Sequence, residues 1–422
     1  MVIKKSAIIE KFLLLLLFFV LFRFYFKWGV SVQKLAFFVF FLGYFLLNIN
    51  VVYQAFIKLK KQIKIAISLF LLCYFFYFIV IFITPVIHQT YDLSYYARFV
   101  YFTLFAISGI DAFIFIEKNI TTKNSYKVYT DAFIRITLIY IFFTYLFLFF
   151  PTFKDAWLSL VYQDDVQQRI MQEGTYVTRW GISGFSGFPY TILCTFALIF
   201  QITKINTTKI NIKEFIILML LFSGNVLYGR IGIVASFACL IAWILYSLVI
   251  FRKIKILLYF IVLLMLIVSG LVYLYLTSPE FAAMLNWAIT PFLNLITTGE
   301  VNNYSANHLM NDMYFIPSDT TLMFGDGKYM VDGSYYMHTD AGFMRLMLYS
   351  GVLSQIFLYG GLLFLLYAVY KNQSQINKKN AFLMVMLFLG SFFVFEFKGE
   401  MFFQLISVIF PLALANMKLK EC

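Results

Sequence analysis

The chain has 422 residues, of which 62% are hydrophobic and 13% charged, where an ordinary soluble domain carries about 25% charged residues. Its formal net charge of +13 would suit a nucleic-acid binder, but the lysines lie in short segments between apolar runs and form no basic face, which argues against nucleic acid as a partner. Cys73, Cys194 and Cys239 fall in apolar runs and Cys422 ends the chain, a distribution that forms neither a disulfide framework nor a metal-ligand spacing.

Apolar runs long enough to cross about 30 Å of hydrocarbon recur from end to end. They predict spans at 8–26, 35–55, 65–84, 96–116, 131–150, 185–203, 213–228, 231–251, 256–276, 342–369, 381–397 and 401–417. The expected fold is an all-α polytopic membrane protein of about twelve transmembrane helices, with residues 1–422 forming a single integral membrane domain. The first run follows Lys4 and Lys5 as a signal peptide would. It lacks a small-residue cleavage site, so it reads as a retained helix.

The segments between the spans alternate in character. Lys58, Lys60, Lys61 and Lys64, then Lys118, Lys123 and Lys127, then Lys204, Lys209 and Lys213, and later Lys371, Lys378 and Lys379 all fall on the side of the N-terminus. The positive-inside rule makes that side cytoplasmic and puts both termini there. The opposite side has two long loops, about 151–184 and 277–341, rich in Asp, Asn, Gly and Tyr and poor in Lys.

Chemistry is expected on that second side. Arg98, Arg179, Arg230 and Arg345 lie there against the charge bias. Arginine's planar fork suits bidentate binding of phosphate. The bland alternative is local pairing, for example of Arg345 with Asp340. Arg230 sits at the tip of a helical hairpin, in "SGNVLYGRIG", where glycines break two apolar runs. Here a guanidinium either anchors at the interface or faces a cavity.

In the second loop "NYSANHLMND" predicts a short helix with His308 and Asp312 on one face, four residues apart. "MFGDGKYMVDGSYY" follows, a glycine-hinged turn whose three tyrosines, Tyr329, Tyr335 and Tyr336, could stack on sugar rings or anchor at the interface. "MHTDAGF" then opens the next span. Thr339 and Asp340 are placed to cap that helix. His338 is one of three histidines in the chain. With Asp340 beside it, it would serve as a base taking a proton from a hydroxyl. Asp111, within the fourth span, would suit a transporter's proton site or a partner for Arg98.

An arginine at a broken hairpin, a long loop ending in a Gly-x-Gly turn, then "HTDAGF" opening a helix with Gly351 downstream, together resemble the superfamily of O-antigen polymerases (Wzy) and O-antigen ligases. The resemblance covers most of the chain by architecture and residues 224–237 and 303–352 by motif. It implies a GT-C-like, metal-independent glycosyltransferase of the bacterial inner membrane with a periplasmic active site and no cofactor. It implies a glycan on undecaprenyl pyrophosphate as donor, and as acceptor a second such molecule or, for a ligase, a lipid A core. A chain-length regulator is a further implied partner. Arg230, Arg179 and His338 match the family's positions. Where relatives carry an arginine ahead of the Gly-x-Gly turn, this chain has Asn307 and His308, so Arg345 or Arg98 is expected to substitute. Such chemistry needs fixed cations for a pyrophosphate leaving group and a base for a sugar hydroxyl. A polysaccharide flippase is the competing class.

Overall fold

A computed structural model describes residues 2–120, 124–172, 179–207, 211–251 and 304–415, with scattered positions between 261 and 297. The described chain is 82% helical. Eight of its helices are long and apolar enough to cross a membrane. Large apolar side chains such as Leu47, Ile87, Phe142, Ile241 and Val249 stand exposed around the outside, a belt suited to lipid and costly in water. The predicted span 256–276 lies mostly outside the described residues.

The helices run α1 (Val2–Phe22), α2 (Val30–Leu47), α3 (Ile49–Lys58), α4 (Lys61–Ile87), α5 (Ser94–Asn119) and α6 (Ser125–Phe149), then the short α7 (Pro151–Leu158) and α8 (Asp165–Gln172). After a two-residue hairpin, β1 (Trp180–Gly181) with β2 (Gly184–Phe185), come α9 (Phe188–Thr207), α10 (Ile212–Tyr228) and α11 (Arg230–Tyr246). The predicted run 35–55 is two helices. Asn48, with non-helical φ −119° and ψ 15°, ends α2 and spends its side chain on the Tyr44 carbonyl and the Lys118 ammonium, so the helical run is interrupted before α3. The segment 151–184 was expected as loop, yet two of its stretches are helical; Pro151 at the first turn starts α7, where its missing N–H costs nothing.

In the second loop lie α12 (Tyr304–Asn311), α13 (Asp319–Phe324) and a hairpin of β3 (Met330–Val331) with β4 (Ser334–Tyr335). The chain ends in α14 (Gly342–Gln373), α15 (Lys378–Lys398) and α16 (Phe402–Leu414). The core between helices is aromatic: Tyr140 stacks on Phe22 at 4.1 Å and on Tyr190 at 5.1 Å, and Trp243 is wholly buried, its indole N–H donating to Asn206.

The Gly-x-Gly turn has a specific task. Gly351 breaks α14 with φ 71° and ψ 179°. The break strips the carbonyls one turn earlier of helical partners. The turn supplies them: the N–H groups of Asp326 and Gly327 donate to Leu348 and Tyr349 at 2.7 and 3.0 Å. Gly325 also has a left-handed φ of 71°, and a Cβ there would strike the backbone of Tyr349 and Ser350. A Cβ on Gly351 would strike Met323 and Phe324. The two backbones meet because both positions are glycine.

Candidate functional site

The ends of the helices sort the charges. Lys118, Lys204 and Lys379 lie at one end, where Lys204 pairs with Asp131 at 3.0 Å. At the other end lie the start of α5, the tip between α10 and α11, the start of α14 and the turn between α15 and α16.

That second end assembles an arginine–carboxylate–tyrosine cluster. Arg98 stands in the second turn of α5 and Arg345 in the first turn of α14. Both guanidiniums reach Glu400, in the turn before α16: Arg98 Nε at 3.4 Å and Arg345 Nη2 at 3.7 Å. The Tyr329 hydroxyl donates to the same carboxylate, 3.1 and 3.0 Å from its two oxygens. Arg98 Nη1 donates to the Tyr335 hydroxyl at 3.2 Å. The Arg345 guanidinium lies over the rings of Tyr335 and Tyr329, 3.7 and 4.5 Å from their centroids. Arg345 is 5% exposed, and its Nε and Nη2 make no hydrogen bond among the described residues.

The hairpin carrying these tyrosines is clamped from below. The Asp92 carboxylate, just before α5, accepts from the N–H groups of Tyr329 and Met330 at 2.6 and 3.2 Å. The Thr90 hydroxyl donates to the Gly327 carbonyl at 2.6 Å. Tyr336 stands apart, donating to Asp326 at 3.1 Å. Burial, and then the Asp326 charge, push its phenol up, so it stays a neutral donor.

The expected pairing of Arg345 with Asp340 does not form. The Asp340 carboxylate holds Lys398 instead, at 3.1 and 3.2 Å. Nor do Thr339 and Asp340 cap α14. Its N-cap is Ala341, without a side-chain cap bond. The buried Thr339 hydroxyl donates to the Met313 carbonyl at 3.0 Å and accepts from the Ala341 N–H at 3.3 Å, tying α12 and its following segment to the helix start.

The two candidate bases differ. His338 is exposed, sits at a left-handed φ of 56° after Met337 at 54°, and makes no hydrogen bond to Asp340 among the described residues. His308 on α12 does have its carboxylate: Nδ1 lies 2.6 Å from Asp312 Oδ2. That bond fixes the orientation of the ring. Next to α12, Tyr314 stacks on Phe397 at 4.5 Å and donates to its carbonyl at 2.7 Å, with its phenol raised by burial and then by the Glu396 and Asp340 charges.

Arg230 opens α11 half-exposed, after Gly229 in extended backbone, and Gly229 packs on Thr191 of α9. Arg179 immediately precedes β1, with its carbonyl accepting from Ser186. Phe188 of α9 packs against Gly399 beside Glu400, so both arginines share the end of the bundle that holds the cluster. Asn225, in the glycine-broken hairpin, is used internally, donating to Ser236 at 2.6 Å and accepting from Thr195 at 3.3 Å. Asp111 is wholly buried and does not pair with Arg98, which is held by Glu400.

A cavity of about 330 Å³ lies one turn along α16 from Glu400, lined by Arg23, Gln167, Tyr190, Gln404 and Ser407 among others. Arg23 stacks on Phe105 there at 3.5 Å. A larger cavity of about 710 Å³ lies at the lysine-rich end, beside Lys58, Lys118 and Asn372, away from every arginine and histidine above. Among the described residues no group of three His, Cys, Asp or Glu is arranged to hold a metal ion.

The sequence marked Arg98, Arg345, Tyr335, His308 and Asp312. It marked Tyr329 only as one of three loop tyrosines and Lys398 only as an outer cation, and it did not mark Glu400 or Asp92. A lone acid in a three-residue turn between two predicted spans, in "FKGEMF", was the available signal for Glu400. No known family, no curated protein and no solved structure matches the chain.

Proposed function

We propose that the chain is a GT-C-type glycosyltransferase of the bacterial inner membrane that polymerises oligosaccharide units carried on undecaprenyl pyrophosphate, acting on the periplasmic side. The supporting observation is the convergence of Arg98 and Arg345 on one carboxylate-sized position under a tyrosine hairpin, at the end of the bundle away from Lys118, Lys204 and Lys379. A pyrophosphate leaving group departs as a stable anion and needs fixed positive charge more than an acid. Arg98 and Arg345 supply it, and Arg230 and Arg179 stand at the same end for a second phosphate or the acceptor. Twelve spans are proposed: the eight long helices with α1, α10, α16 and the 256–276 run. Both termini are then cytoplasmic.

For the base, the oriented imidazole of His308 with Asp312 is the stronger candidate, and His338 the second. His308 and Asp312 are respectively 32% and 63% exposed at their side chains, open enough to meet an acceptor sugar. Tyr335 and Tyr336 would border the sugar.

The test is deletion of the gene, read on a gel of surface polysaccharide. Loss of a polymerase leaves single repeat units on the lipid A core. Bare core would convert the assignment to a ligase. Units stranded on the cytoplasmic face would convert it to a flippase and discard the transferase reading.

A further inference from the structure

Glu400 is held as a loose occupant is held. Charge-assisted N–H···O bonds run about 2.7–2.9 Å; the two guanidiniums approach its carboxylate only to 3.4 and 3.7 Å. Arg345, nine-tenths buried, still has Nε and Nη2 without a hydrogen bond. A bidentate acceptor would fill that fork, and Glu400 does not. The residue rides on the non-helical turn Gly399–Met401, so its carboxylate can withdraw without unwinding a helix.

One turn earlier the same element shows what a fixed carboxylate looks like. Glu396 accepts from the Met401 N–H at 2.8 Å and from Tyr359 at 3.1 Å, and among the described residues no arginine lies within ion-pair distance of it. Glu396 is part of the frame. Glu400 is tied chiefly by the Tyr329 hydroxyl, which bridges its two oxygens.

We propose that Glu400 is an internal stand-in for a phosphate, occupying the arginine site at rest and displaced when a diphosphate ester binds. This rests on the transferase reading for its ligand class. It assigns Glu400 a role of its own, as a competing anion that offsets one of the two guanidinium charges and lowers affinity for singly charged anions. A diphosphate diester brings two charges and two sets of oxygens to the fork, and so outcompetes one carboxylate. The displaced Glu400 follows its turn outward, and Tyr329 exchanges its acceptor for a phosphate oxygen.

The experiment is calorimetric titration of the full chain in lipid nanodiscs with inorganic pyrophosphate, repeated with undecaprenyl pyrophosphate incorporated in the disc as competitor. Glu400→Gln keeps the volume and a hydrogen-bond acceptor but removes the charge. It should bind pyrophosphate roughly tenfold tighter than the unaltered protein, the size of one lost charged competitor. Arg345→Gln should bind more weakly. Unchanged or weaker binding by Glu400→Gln, in protein that melts as the unaltered chain does, overturns the proposal. If Glu400→Gln does not fold, Glu400→Ala carries the test: it removes the competing carboxylate and should tighten pyrophosphate binding to a similar degree, and unchanged or weaker binding overturns the proposal equally. Tightening with inorganic pyrophosphate but no competition from the lipid form would keep the displacement and remove the lipid-linked ligand. Polymer synthesis by the unaltered chain judges the transferase reading separately.

Discussion

Arg345 tolerates burial because its faces and one edge are occupied: Tyr335 and Tyr329 cover the guanidinium plane and Glu400 meets an amino group. Cation–π contacts of this kind contribute about 2 kcal/mol when desolvated. Lysine at this position would keep the charge and lose both the stacking plane and the fork. Arg345→Lys is therefore expected to lower polymer synthesis by roughly 10²-fold, the cost of one preorganised donor to a leaving group, while the protein still accumulates in the membrane. Synthesis at the normal level would reduce Arg345 to a packing residue. The histidines give a sharper contrast. With His308 as base, His308→Ala should slow chain growth by about 10²–10⁴-fold and His338→Ala by little. The reverse ranking would return the role to His338. The arginines were legible in the sequence because each lies away from the segments where most of the chain's lysines gather. The partner of Arg345 was not, because Asp340 is nearer in sequence while Glu400 is nearer in space, 55 positions on. Only the return of α15 beside α14 brings Glu400 there.

Elements are positioned by what they can do without a side chain. The turn at 324–327 and the break in α14 are complementary backbones, each requiring glycine at the contact. Gly325→Ala and Gly351→Ala should each destabilise the protein by about 3 kcal/mol or more, since a left-handed residue is strained and the new methyl group strikes backbone. Gly333 tests the reasoning. It has φ 78° but open space around it. Gly333→Ala should cost only the left-handed penalty of about 1–2 kcal/mol. Thermal melting of the purified chain ranks the three, and equal losses would mean that the docking contributes nothing. Sequence reading found the glycines, since their spacing is visible. It could not find that they face each other, nor that Asn48 would divide a run that looks continuous. Both depend on partners, Leu348 in one case and Lys118 in the other, that no local pattern marks.

For the whole molecule, hydrophobicity dictated the architecture. The predicted spans fall largely on helices where both are described, with 35–55 divided at Asn48 and 8–26 ending early at Phe22, because an apolar run in lipid must satisfy its backbone internally. The finer matter of sides is testable. A cysteine at Ser305, in a chain with the native cysteines replaced, should react with an impermeant maleimide from the periplasm of intact spheroplasts. Reaction only after lysis would invert the proposed orientation and place the arginine cluster in the cytoplasm.

The break at Gly351 has a mechanical corollary. The 32 residues of α14 would span about 48 Å as one rod, more than the hydrocarbon needs, and a single rod of that length would tilt as bilayers thin or thicken. Divided at Gly351, it need not act as one piece. The outer stretch Gly342–Ser350, with Arg345, is registered through the 324–327 turn, Thr90 and Asp92 to the start of α5, and thus to Arg98. The depth of the arginine pair is then set by these contacts within the protein. Pyrophosphate affinity should accordingly stay constant in nanodiscs whose acyl chains differ by several carbons, while the tilt of residues 352–373, followed by a spin label at Phe364, changes with each.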